Sequence, residues 1–174
     1  MANKFDKKKH KKKIVLKPRF GRGSKGIIYC KDPKIAKMHL KILSFENKID
    51  DYIIQDYISG KEYTITQYYN SQSYFFPLLV HEKKGITNKA SVHHDSSVSN
   101  FCNQIGEKFK GEKIFNIQLI KKKNKCFLIE INPRISTTFC FFIANGFDPF
   151  RKDFKINKKL KFKFLIRQVE NVLK

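Results

Sequence analysis

The stretch FNIQLIKKKNKCFLIEINPRIS, residues 115 to 136, constrains the fold more than any other part of the chain. Two apolar runs flank the polar KKKNK, which predicts a β-hairpin. Successive strand residues point to opposite faces, so Phe115, Ile117, Leu119, Phe127, Ile129 and Ile131, all apolar and all odd, are expected to share one core face. The even positions Asn116, Gln118, Glu130 and Asn132 then stand together on the other face, and Arg134 follows Pro133. A carboxylate inside so apolar a strand is costly unless something compensates it. One glutamate, amide oxygens and a nearby arginine form an oxygen-rich set suited to Mg²⁺ bridging phosphates, with a cation for a transferring group. A solvated outer sheet face accounts for the same pattern, and the residues alone leave both readings open.

A second feature lies in KPRFGRGSKGIIYC, residues 17 to 30, where Gly21, Gly23 and Gly26 are spaced G-x-G-x-x-G. A dinucleotide fingerprint requires the glycines to open a helix, but here they run into β-prone residues, so the context is strand, loop, strand. A Walker loop needs Lys then Ser or Thr after the last glycine, and Ile27 stands there. Nothing downstream reads as a kinase catalytic loop. A glycine hairpin can still fold over a triphosphate, offering backbone N–H groups, with Lys17 placed to offset charge. An ordinary hairpin turn with a solvated lysine remains the alternative.

The charge of +22 over 174 residues raises the question of nucleic acid. The excess is lysine scattered over nearly every segment, whereas arginine, the better bidentate reader, is sparse. A basic nucleic-acid module, in which KKKHKKK and scattered Tyr and Phe bind phosphates and stack bases, explains the charge. It gives no reason for Glu130 beside Asn132 and Arg134. The four cysteines, Cys30, Cys102, Cys126 and Cys140, form no C-x-x-C pair, which argues against zinc and suits reduced thiols. No apolar run approaches the ~20 residues of a membrane span, and the expectation is a cytoplasmic protein.

Along the chain, residues 1–13 read as a basic, flexible tail. Ile35, Met38, Ile42 and Phe45 suggest the buried face of a short helix after Pro33. DYIIQDYISGKEYTITQYY reads as two strands about a turn at Ser59 and Gly60, and SYFFPLLVHE as a strand that Pro77 places at an edge. HEKKGITNKASVHHD, with the adjacent His93 and His94, reads as a solvated loop. Val98, Phe101, Cys102, Ile105 and Phe109 give an amphipathic helix. STTFCFFIANG suggests a buried helix closed by Gly146, and KLKFKFLI a last strand.

Four of these segments, KPRFGRGSKGI, IIQDYISGKEYTI, FNIQ and LIEINPRIS, occur in the order found in the ATP-grasp superfamily, and the chain resembles its short members likened to the carbamoyl phosphate synthase large chain. The resemblance implies an α+β, ATP-grasp fold: two lobes with antiparallel sheets and flanking helices, and a nucleotide cleft between them. It divides the chain into a tail (1–13), a small lid lobe with the glycine loop (14–57) and a larger catalytic lobe (58–174). It implies that Lys17 contacts the phosphates and that Gly21, Arg22, Gly23 and Ser24 close over them. Gln55 would meet the adenine edge, the Tyr57 and Ile58 backbone would bind it further, and Glu62 would accept the ribose hydroxyls. Gln118 and Glu130 match the family's paired metal ligands, with Asn132 assisting; Arg134 would face the γ-phosphate, and Lys89 is a further basic candidate. The implied activity is an ATP- and Mg²⁺-dependent (or Mn²⁺-dependent) ligase joining small-molecule carboxylates to amines, or thiols, through an acyl phosphate. Family members carry a further N-terminal domain before the K-P strand, so the expected partner is a chain that supplies it, or a second copy in a homo-oligomer. A nucleotide-binding subunit without ligase activity is the alternative.

Overall fold

The structure, a computed structural model, describes residues 13–21, 23–70, 72–84, 86–109, 113–143, 150 and 165–166. Arg22, the tail up to residue 12, Gly146 and residues 159–164 of the expected last strand lie outside them. The chain divides into two compact units between Ile58 and Ser59.

In the first unit, β1 (Ile14–Pro18) lies between β2 (Ile28–Cys30) and β3 (Tyr52–Asp56), antiparallel to both. Asp32 starts helix α1 (Pro33–Phe45): its carboxylate accepts from the backbone N–H of Lys34 at 2.7 Å and of Ile35 at 3.1 Å, and Pro33 sits where no N–H is needed. Ile14, Leu16 and Cys30 pack against Ala36, Leu40 and Leu43 of α1. Burying each of the larger of these side chains is worth about 1.5–3 kcal/mol. The helix is where the sequence places it, but its expected face is not. Ile35 packs at the cluster's margin, while Met38, Ile42 and Phe45 are 65%, 53% and 90% exposed. The helix carries two adjacent apolar stripes, and a three-stranded sheet accommodates one; the stripe with Ala36 has the smallest side chain and so allows the closest approach.

The second unit is one antiparallel sheet built from β4 (Lys61–Asn70), β5 (Gln72–Lys84), β6 (Ile86–Val92), β7 (Ile114–Lys122), β8 (Lys125–Asn132) and β9 (Leu165–Ile166), in the order β8-β7-β4-β5-β6-β9. One face buries Tyr63, Ile65, Leu79, Phe115, Ile117 and Leu119 beneath Val98, Cys102 and Ile105 of α2 (Ser96–Lys108). A Cβ on Gly106 would stand 2.5 Å from Gln67 Nε2, so the missing side chain lets α2 rest directly on β4. On the opposite face, Phe76, Leu78 and Ala90 pack with Phe139 and Phe141, which come from a 3₁₀ turn (Thr137–Phe139) and helix α3 (Cys140–Ile143).

The hairpin forms, with a different register from the one its parity suggests. Asn116 pairs with Asn132, Ile117 with Ile131 and Gln118 with Glu130, but Leu119 then pairs with Leu128, so Ile129 is an extra residue in a β-bulge. Beyond it the faces of β8 exchange: Cys126, not Phe127, packs against the α2 core, and of the odd positions in β8 only Ile131 does so. Pro77 is not at an edge, since β5 has β4 and β6 on either side. Its carbonyl accepts from His93 N just past the end of β6, and a strand residue's N and O point the same way. The missing N–H therefore falls where β6 has ended, and the β4 ladder loses nothing. The presumed loop before α2 contains strand β6; His93 is half-buried, with Nδ1 3.2 Å from the Tyr63 hydroxyl, and only His94 is exposed. Gly60 also has a reason beyond a turn: a Cβ there would lie 2.4 Å from the Lys121 carbonyl oxygen.

Candidate functional site

The bulge falls after the paired polar residues, so their common face survives it. Asn116, Gln118, Glu130 and Asn132 face one another across β7 and β8, and on β4 Thr66 lies opposite Asn116 and Thr64 opposite Gln118. Glu62, two residues before Thr64, belongs to the same row. Asn132 donates its side-chain amide to Glu130 Oε1 at 2.9 Å, and Glu130 is half-buried. The chain turns immediately afterwards, with Arg134 N–H donating to the Asn132 carbonyl at 2.7 Å, which leaves the Arg134 side chain exposed, with Nη1 3.2 Å from the Ile135 carbonyl.

The inner members of this row are buried hydroxyls and amides. Asn116 is fully buried and donates through Nδ2 to Thr64 Oγ1 and to the Ile65 carbonyl, each at 3.0 Å. Thr64 also meets Thr138 Oγ1 at 3.5 Å, and Thr138 meets Ser136 Oγ at 2.6 Å. Asn116 Oδ1 and Thr66 Oγ1 are buried with no partner among the described residues. Two unsatisfied oxygens beside a carboxylate and further amide oxygens fit a hard cation with its hydration water, because an orphaned buried acceptor otherwise costs about 1–3 kcal/mol. Gln118, Glu130 and Asn132 are the groups that would hold the ion.

Other expected residues stand apart from this row or are already engaged. Glu62 is half-buried and ion-paired to Lys83 Nζ at 2.5 Å, a partner that sequence patterns did not single out. Lys89 precedes Ala90, which packs with Phe139; alternation along β6 displays Lys89 on the side away from Glu130. Thr64, Thr66 and Asn116 were visible as the polar half of an alternating strand, but no sequence signal marked them as buried on both faces.

In the first unit, Lys17 lies opposite Ile53, and Val15 opposite both Gln55 and Tyr29. Since Ile14 and Leu16 face α1, Lys17 and Gln55 share the other face of that sheet. Tyr57 follows β3, its N–H donated to the Lys13 carbonyl at 2.9 Å and its ring edge-on to Tyr29 at 6.0 Å. Gly21, Gly23 and Ser24 are exposed in the loop between β1 and β2, where Gly23 and Ser24 adopt φ of 63° and 60°. Ser24 holds a conformation that costs a non-glycine residue about 1 kcal/mol or more. Among the described residues no group of three or more His, Cys, Asp or Glu that could hold a metal ion is found.

The ATP-grasp domain family matches residues 2–138, and the chain belongs to that family. It is 24% identical over 141 residues to the carbamoyl phosphate synthase large chain of Clostridium botulinum (strain Loch Maree / Type A3), covering 72% of this chain and 13% of that one. Its fold is similar to the biotin carboxylase domain of Hydrogenobacter thermophilus 2-oxoglutarate carboxylase, solved with MgADP, ADP and bicarbonate (TM-score 0.64, 14% identity, 81% of this chain and 35% of that one). It is similar too to the ADP complex of N5-carboxyaminoimidazole synthetase from Staphylococcus aureus (TM-score 0.61, 19% identity, 77% and 38%). The chain thus spans well under half the length of each of these relatives. Among the described residues no helix is long and apolar enough to cross a membrane.

Proposed function

We propose that this chain is the ATP-binding, catalytic portion of an ATP- and Mg²⁺-dependent ligase that joins a small-molecule carboxylate to an amine or thiol. The observation that carries this reading is the pairing of Gln118 with Glu130, with Asn132 hydrogen-bonded to the same carboxylate, above orphaned oxygens on Asn116 and Thr66. Family membership and relatives solved with ADP and MgADP support it.

In this reading Lys17 neutralises the phosphates, and Gly21, Arg22, Gly23 and Ser24 cover them through backbone N–H groups. Gln55, the Tyr57 carbonyl and the Ile58 N–H bind adenine, and Glu62 accepts the ribose hydroxyls once it shares Lys83. Gln118, Glu130 and Asn132 would hold the divalent cation, Mg²⁺ or Mn²⁺, which would supply charge neutralisation at the phosphates. Arg134 faces the γ-phosphate, with Lys89 as an accessory cation. The acceptor carboxylate oxygen attacks the γ-phosphorus and ADP departs. The nucleophile then attacks the acyl carbon, inorganic phosphate leaves, and the nucleophile's proton passes to solvent. Such transfers need positioning and charge neutralisation more than covalent help from the protein.

The test is thermal: ATP with Mg²⁺ should raise the melting temperature, and ATP with a chelator should do so much less. ADP release that requires both a carboxylate and an amine establishes ligation; nucleotide binding with no ADP release under any pairing would instead make the chain a nucleotide-binding subunit. An oligonucleotide that stabilises the chain at physiological salt while MgATP does not would overturn the reading.

A further inference from the structure

On the other face of β4 and β7 from Glu130, at the end nearest the hairpin tip, a cavity of about 500 Å³ is lined by Lys61, Tyr63, Asp95, Lys121, Lys122 and Lys123. Lys61 lies directly opposite Lys121 in the sheet, and Lys122 and Lys123 continue into the β7–β8 turn, where Lys123 takes a φ of 54°. The floor is tied together by hydrogen bonds. Tyr63 is fully buried with its hydroxyl against His93, and Asp95 is engaged three ways: by Ser97 N–H at 3.0 Å, by Val98 N–H at 3.2 Å and by Lys121 Nζ. Asp95 therefore holds Lys121 at the floor and has little left to repel an incoming anion. Lys61, Lys122 and Lys123 have no carboxylate partner among the described residues, so four lysines line this surface with one carboxylate. Like charges on one surface repel one another unless a counter-charge sits among them. Gly60 sharpens the site, because its missing Cβ brings the start of β4 against the Lys121 carbonyl and thereby brings Lys61 beside Lys121.

We propose that this cavity is a second ligand site, separate from the nucleotide face, that takes a small compound carrying two or more phosphate groups. Lysine ammoniums act as point charges suited to phosphate oxygens without demanding a planar partner. The two sites use alternate residues of the same strands: Lys61, Tyr63 and Lys121 on one face, Glu62 and Gln118 on the other.

The test is calorimetric titration of the full chain with inorganic tripolyphosphate, which lacks a base and a ribose, at about 0.15 M salt, where exposed charges are screened beyond roughly 8 Å. Saturable one-site binding is expected. Lys122→Gln/Lys123→Gln should weaken it about tenfold, the effect of losing two such charges, while MgATP still binds. Lys61→Gln, a single exposed change, gives the same direction should the double variant fold poorly. Lys37→Gln/Lys41→Gln on α1 is the control for general charge. The proposal is overturned if the α1 pair weakens binding as much as the hairpin pair, if binding is not saturable at this salt, or if MgATP abolishes tripolyphosphate binding in competition. It is overturned equally if a single-stranded oligonucleotide of matched charge binds the hairpin lysines more tightly, which would make the surface a nucleic-acid contact.

Discussion

Asn132 donates to the Glu130 carboxylate from two residues along the same strand, at 2.9 Å, so the two side chains lie on one face and the amide fixes which way the carboxylate points. Asn132→Ala is expected to leave the fold intact, because the side chain is half-buried and its own strand pairing is through backbone. MgATP affinity should fall about tenfold, the order of losing one charge-assisted hydrogen bond. Circular dichroism together with calorimetry separates the two effects; an unchanged affinity would mean that Asn132 orients nothing.

Gly60→Ala places a methyl 2.4 Å from the Lys121 carbonyl and 2.6 Å from Ile120 Cγ2, contacts that neither strand can relieve without moving. The expected loss is about 1–3 kcal/mol, the usual range for overpacking. The denaturant midpoint reads it directly, and a midpoint equal to wild type would show that β4 and β7 separate easily.

The ionised side chain of Asp95 is stabilised first by its hydrogen bond to Lys121 and then by backbone N–H groups of Val98 and Ser97, which outweigh burial and hold its carboxyl below the ordinary value. The sign follows: a depressed folded pKa contributes stability that is complete above the unfolded value of about 3.9 and disappears as pH falls through the lower folded value. Wild type should therefore lose stability on acidification below about pH 4, and Asp95→Asn should show a shallower loss there. Its neutral-pH cost need not be large, since asparagine also caps helices well. Equal slopes for the two proteins below that pH would contradict the assignment.

All four cysteines are free, but burial separates their chemistry. Burial pushes the Cys102 thiol up to about 12, with Cys126 adding to the rise, while Cys140 is exposed. Because the thiolate is the reactive form, an alkylating agent at neutral pH should label Cys140 first and Cys102 only after unfolding. Peptide mass spectrometry gives the order, and early labelling of Cys102 would show that α2 lifts from the sheet in the native state.

Much of this was legible because a few local rules dominate. Pro33 marks the start of α1, period-2 alternation marks β7, and the glycine loop reads as strand, loop, strand because β-branched residues follow it. Illegible were the features that depend on what packs where. The bulge at Ile129 is invisible because an extra apolar residue in an apolar strand leaves no mark in composition. The buried face of α1 could not be told from its neighbour by spacing, since both stripes are apolar and only the sheet selects one. Lys83 joins Glu62 across two strands from 21 positions further along the sequence, and no pattern of spacing predicts that pair.

The central claim is that Glu130 holds a divalent cation together with the phosphates of ATP. Its most direct test is ATP affinity by calorimetry, with and without Mg²⁺, for wild type and for Glu130→Gln, which keeps the shape and removes the charge. The account predicts that Mg²⁺ tightens ATP binding to wild type by about tenfold or more and that the variant loses most of that gain, with any ligase turnover falling about 10²–10³-fold. A variant that binds ATP as tightly as wild type, with the same dependence on Mg²⁺, contradicts it.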